Sequence, residues 1–167
     1  FQLTIALSFI TLAFNNAYIP YLYEKLSTLN TSVKKHLLKL SFAYILGVLI
    51  LAVVLGVLGK LFVKYFLGKE FFQSAQYLVI LFLAQAFNGI YQLFGNYLFY
   101  YKKTKELAAI TFVSSIIHIG ISKICITYYG IAGASYAYLF TSILISLWVA
   151  FSVNKILKFS SLALKRS

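Results

Sequence analysis

Methionine and aspartate are absent from the 167 residues, glutamate occurs three times, and there is one proline and one cysteine. Each shortage excludes something. A lone Cys125 can form no disulfide within the chain. Glu24, Glu70 and Glu106 lie far apart, and the two histidines and single cysteine show no metal-ligand spacing. No glycine-rich phosphate loop and no Ser–His–acid arrangement is present. No catalytic residue, metal or cofactor is therefore expected, and the chain does not read as an enzyme. Residue 1 is Phe, already inside an apolar run, so an N-terminal part is expected to be missing. No basic stretch precedes that run, which argues against a signal peptide.

What is present is hydrocarbon. Hydrophobic residues make up 62% of the chain and aromatics 19%, with only 11% charged; soluble domains carry about 45–50% apolar and about 25% charged residues. A soluble domain of this size still needs a polar surface, so burial cannot absorb the excess. The remaining solvent is a bilayer. The net charge of +12 raises nucleic acid as a partner, but the basic residues form short clusters between apolar runs, as membrane orientation signals do. No nucleic-acid binding is expected.

A bilayer core takes about 20 helical residues to cross. The pattern predicts an all-α, polytopic membrane helix bundle with five spans, about 1–22, 37–59, 73–101, 107–127 and 131–154. The connections are "YEKLSTLNTSVKKH", "KLFVKYFLGKEF", "KKTKE" and "YYG". The last is short enough to force an antiparallel hairpin. Pro20 is expected to kink or end the first span. Lys25, Lys34, Lys35, Lys39, Lys102, Lys103, Lys105, Lys155, Lys158, Lys165 and Arg166 fall on one side, against Lys60, Lys64 and Lys69 on the other. The positive-inside rule places the larger group, and the C-terminus, in the cytoplasm of a multi-pass cell-membrane protein. Lys123, inside the fourth span, is expected to snorkel outward.

Polar residues interrupt these runs in lines. At about 100° per residue, Gln85, Asn88, Gln92 and Asn96 share an arc of about 80° on the third span. Thr4, Ser8, Thr11 and Asn15 form a stripe on the first span. Thr111, Ser115, His118 and Ser122 do so on the fourth, and Ser135, Ser142 and Ser146 on the fifth, with Tyr138 at the edge. Span two, "AYILGVLILAVVLGVLG", has none. Small hydroxyls can serve as interhelical glue at roughly 0.6 kcal/mol each, whereas four long amides demand more partners than tight packing offers. The expectation is a hydrated cavity bounded by spans one, three, four and five, with span two outside facing lipid. Its candidate lining is Gln85, Asn88, Gln92, Asn96, Ser115, His118, Ser122, Thr11 and Asn15. His118 can be a hydrogen-bonded helix contact or a protonatable, ligand-binding group. Gly130, Gly133, Ala134 and Ala137, small residues opening span five, are expected to allow close helix packing.

The stretch 67–154 resembles the C-terminal part of polysaccharide flippases, the lipid-linked oligosaccharide and O-antigen exporters of the multidrug/oligosaccharidyl-lipid/polysaccharide (MATE-like) superfamily; residues 1–60 match loosely. The marks are Gly68–Lys69–Glu70–Phe71, the amide-bearing helix ending at Lys103–Thr104–Lys105, and Tyr129–Gly130–Ile131–Ala132–Gly133–Ala134. Family members often carry two asparagines four apart, then a proline, where this chain has His118, Ser122 and Thr127. The resemblance implies that 1–167 is the C-terminal transmembrane lobe of a two-lobed transporter lacking its N-terminal lobe. It implies translocation of a polyprenyl-pyrophosphate-linked oligosaccharide for surface polysaccharide biosynthesis, by alternating access. Implied partners are the lipid-linked glycan and membrane lipid, with a coupling ion (H+ or Na+) and the polysaccharide polymerase machinery as further candidates. The alternatives are a cation-coupled multidrug antiporter, which favours an intramembrane acid, and a glycan polymerase or acyltransferase, which needs a catalytic set and large loops.

Overall fold

A computed structural model of the chain describes the backbone of residues 2–67, 71 and 75–163, and the side chains of 3–66, 71 and 75–157. Gly68, Lys69 and Glu70 of the first family mark, the expected start of span three at 73, and the charged groups of Lys158, Lys165 and Arg166 lie outside the described residues.

Every regular element among the described residues is helical. A 3-10 turn, Gln2–Thr4, leads into α1, Ile5–Ser27. α2 spans Thr31–Phe62 and runs into a π-helical turn, Val63–Leu67. α3 spans Leu78–Tyr100 and α4 Thr104–Ala163. The membrane-crossing character is plain: four helices are long and apolar enough to span a bilayer by length and composition.

Local chemistry makes the boundaries tighter than the sequence pattern implies. The expected first loop, 23–36, shrinks to residues 28–30. Asn30 is extended (φ −131°, ψ 177°), and its side-chain oxygen accepts from the Val33 backbone N–H at 2.8 Å, an N-cap that starts α2 early. Pro20 does not end α1, which continues to Ser27. Its missing N–H removes one helical hydrogen bond, while buried Leu22 and Leu26 beyond it anchor the last turns. α3 ends in a two-bond cap, with Lys102 N–H on the Phe99 carbonyl at 3.0 Å and Lys103 N–H on the Leu98 carbonyl at 2.8 Å. This is a Schellman arrangement, but Lys102 stands at φ 57°, where glycine usually sits.

The fifth expected span is not a separate element. The expected spans 107–127 and 131–154 are joined in α4, whose 60 residues would reach about 90 Å if straight, some three times a hydrocarbon core. It is not straight. Gly130 takes φ 56° and ψ −132°, a conformation closed to side chains with a Cβ. His118 Nδ1 lies 2.9 Å from Thr141 Oγ1, although 23 residues of straight helix would separate them by about 35 Å. A methyl on Gly133 would overlap the Cys125 carbonyl. α4 is therefore a hairpin with a first arm, 104–129, and a second arm, 131–163. Tyr128 and Tyr129, expected in a connection, stay helical, and one glycine makes the reversal.

α3 is the central helix. Gly56 of α2 lies against Val79, whose Cα would be 2.7 Å from an added methyl, and Gly89 of α3 receives the Thr11 methyl of α1. So α2 is not lipid-facing all round: Val48, Ala52 and Gly56 are buried toward α3. Its other flank, with Phe42, Ile50 and Leu58, is exposed. The hairpin packs on α3 as well. One hydrophobic cluster joins all four α-helices at one end, with Leu22, Leu37, Leu98, Leu107 and Val153 among its members. There Lys34 Nζ also donates to the Leu157 carbonyl at 3.3 Å. A second cluster, Leu7, Val48, Ala52, Phe82, Ala86 and Ile90, contains no hairpin residue. The first cluster closes one end of the bundle, and the second joins α1, α2 and α3.

Candidate functional site

Between α3 and the two hairpin arms, three helical segments turn polar side chains toward each other. From α3, Asn88 Nδ2 donates to the Tyr138 hydroxyl of the second arm at 2.6 Å. That hydroxyl donates in turn to Gln85 Oε1 at 3.1 Å. From the first arm, His118 bonds Thr141, and its ring meets the Tyr138 ring edge-on at 6.4 Å between centroids. Position 85 to position 88 is one turn of α3, so both amides reach one tyrosine.

These groups border a cavity of about 250 Å³ lined by Asn88, Ser114, Ser115, His118, Ile119, Tyr138, Thr141, Ser142 and Ile145. At about 30 Å³ per water molecule the space holds several waters or one sugar-sized group. Its polar lining is neutral amide, hydroxyl and imidazole; among the described residues no acid, lysine or arginine borders it. Ser114 is 96% buried by its 4% exposure, yet its hydroxyl has no hydrogen-bond partner among the described residues. A buried hydroxyl in that condition costs free energy until something enters to bond it. Tyr138 also lines a second, apolar cavity of about 360 Å³ near the hairpin turn, with Leu3, Val63, Phe71, Leu78, Leu81 and Ile131.

The expected lining residues divide. Asn88, Ser115 and His118 border the cavity, and Gln85 joins it through Tyr138. The Ser122 hydroxyl lies within hydrogen-bonding distance of the His118 ring, 3.5 Å from Nδ1 and 3.4 Å from Nε2. Thr11, Asn15 and Asn96 lie elsewhere. Asn96, buried, donates to Asn15 Oδ1 at 2.6 Å across the α1–α3 contact. Thr11 bonds the Ser8 carbonyl of its own helix at 3.0 Å and turns its methyl to Gly89. The α1 stripe is thus packed against α3, and α1 contributes no residue to the cavity lining, contrary to the four-span expectation. Gln92 is half-buried and makes no hydrogen bond to a described residue.

Among the expected packing residues, Gly133 and Ala137 are buried and Gly133 closes on the first arm. Gly130 is the turn itself, and exposed Ala134 lines the apolar cavity. Ser114 and Thr141 were not anticipated from the sequence. Each sits one residue beside a polar stripe, next to Ser115 and Ser142, and that adjacency is the signal that could have found them.

No family model matches the chain, and no solved structure matches it. Two proteins of Haemophilus influenzae are similar. One is an uncharacterized membrane protein, 36% identical over 120 residues, covering 71% of this chain and 29% of the relative. The other, Lsg locus putative protein 1, is 27% identical over 157 residues, covering 94% of this chain and 39% of the relative. The chain thus spans well under half the length of the curated relatives it matches. The likeness, four long apolar helices and an outside rich in exposed Phe, Ile and Leu together mark a membrane protein whose regular elements, among the described residues, are helical.

Proposed function

We propose that the chain is the C-terminal lobe of a transporter that moves a polyprenyl-pyrophosphate-linked oligosaccharide across the cytoplasmic membrane. The observation that carries it is the neutral, hydrogen-bonding cavity between the hairpin arms and Asn88 of α3, with a hydroxyl, Ser114, buried in its wall and unpartnered among the described residues. Sugar hydroxyls need donors and acceptors without fixed charge, which amides, hydroxyls and an imidazole supply. The apolar cavity sharing Tyr138 fits the prenyl end of such an amphipathic molecule. In this reading each hairpin arm crosses the bilayer, giving five crossings, with the closed, lysine-rich end and the C-terminus in the cytoplasm. A second lobe beyond the present residues completes the path, and the two rock in alternating access. An antiporter driven through a carboxylate is less well supported, because no acid among the described residues borders the cavity.

Deletion of the full gene is expected to trap lipid-linked glycan in the inner leaflet and to strip polysaccharide from the cell surface. Unchanged surface polysaccharide, in a strain with no redundant exporter, would reject the proposal.

A further inference from the structure

The exposed flank of α2 changes character along its length. At about 100° per residue, Lys35, Lys39, Phe42, Leu46, Ile50 and Val53 share an arc of about 80°, on the side away from buried Leu37, Ser41, Val48 and Ala52. All six are exposed, the apolar four at 69%, 53%, 56% and 43%. The two lysines come first, and only hydrocarbon follows on the stripe. From Lys39 to Ile50 the helix rises about 16 Å, close to half of a hydrocarbon core of about 30 Å. A stripe that is cationic for one turn and apolar for the depth of one leaflet matches a phospholipid end to end.

The neighbouring charges leave this head group site positive. Exposed His36, next to Lys35, has its Nε2 3.0 Å from the Tyr21 hydroxyl of α1. The Lys25 ammonium stands 5.5 Å from the centre of the same Tyr21 ring. Glu24 meets Lys25 at 3.6 Å, and after it no acid occurs in the chain before Glu70. Lys34 is engaged elsewhere, on the Leu157 carbonyl at 3.3 Å. Lys35 and Lys39 are therefore like charges one turn apart, with no carboxylate on their own helix to offset them.

We propose that this flank binds an anionic phospholipid of the adjoining leaflet, with its phosphate on Lys35 and Lys39 and an acyl chain along Phe42, Leu46 and Ile50. Charge selects the occupant. An anionic head group satisfies both ammonium groups, whereas a zwitterionic one brings its own cation to a site that already has too many. Each lysine near the membrane surface favours the anionic lipid roughly fivefold, an attraction that falls off within a Debye length. The apolar stripe supplies the other half of the contact, which free phosphate cannot make.

Exposed Ala43 lies beside the stripe without belonging to it, so a fluorophore on Ala43→Cys reports which lipid touches the flank. The probe is the full-length protein in mixed bilayers, with Cys125→Ser and any other cysteine replaced. Brominated phosphatidylglycerol should quench the fluorophore more than brominated phosphatidylcholine at equal mole fraction. Lys35→Gln and Lys39→Gln should each cut that preference roughly fivefold at low salt, and high salt should weaken it. Removing the same charge elsewhere, by Lys103→Gln with Lys105→Gln, should leave it unchanged. Equal quenching by the two lipids overturns the site, as does a preference that survives the loss of Lys35 and Lys39. A preference that falls as far in the Lys103 and Lys105 pair also overturns it, because the field would then be diffuse. Quenching by neither lipid would mean that another part of the full-length protein covers the flank, and that too overturns it. None of these outcomes touches the transport reading, which stands or falls on the deletion experiment above.

Discussion

Asn96 and Asn15 show how a single side chain can mislead a sequence reading. Both lie on polar stripes, and both satisfy themselves: one amide answers the other at 2.6 Å, across a helix contact. Asn88, two turns earlier on α3, has no such partner on α1 and turns instead to Tyr138 beside the cavity. A stripe records that a helix flank must be polar, but the partner that makes it so belongs to another helix and leaves no mark in the local spacing. Thr11 hides further, by returning its hydroxyl to its own backbone. Asn96→Leu leaves Asn15 unpaired in an apolar contact. It should cost about 1 kcal/mol in a detergent-unfolding titration, while Asn15→Leu combined with it should cost less than the two single changes summed. Lys102 is a second residue-scale case. Its left-handed conformation at φ 57° penalises any side chain, so Lys102→Gly should raise stability by about 1 kcal/mol in the same titration.

Among the elements, the hairpin was legible as an antiparallel pair because "YYG" is too short to connect helices otherwise. Its joint was not legible. Tyr128 and Tyr129 have no reason in sequence to stay helical, and only the backbone shows that Gly130 alone makes the reversal. Likewise Pro20 reads as a breaker, while burial of Leu22 and Leu26 carries α1 past it. Gly130→Ala should destabilise the hairpin by about 1–2 kcal/mol. With Cys125→Ser as background, cysteines at positions 118 and 141 should be joined by a short thiol crosslinker, since those side chains touch. Absence of crosslinking in the folded protein would require a straight α4 and overturn the hairpin.

The whole molecule has two unlike ends. One is sealed by a cluster drawn from every helix and crowned by Lys25, Lys34, Lys35, Lys39, Lys102, Lys103 and Lys105, with Glu24 and Glu106 among them. Toward the other end α1, α2 and α3 share a second apolar cluster, and the polar cavity lies where the two hairpin arms meet Asn88 of α3. Composition alone made the membrane character readable, and charge clustering gave the ends their asymmetry. Which stripes enclose space and which are closed contacts depends on the order in which helices pack, and that is written only in three dimensions. Aqueous thiol labelling of single cysteines, again with Cys125→Ser, separates the two. Asn88→Cys should react with a membrane-impermeant reagent in the folded protein, and Asn96→Cys on the same stripe should not. Equal labelling at the two positions, or labelling at 96 alone, would contradict a wet cavity confined to the contact between α3 and the hairpin.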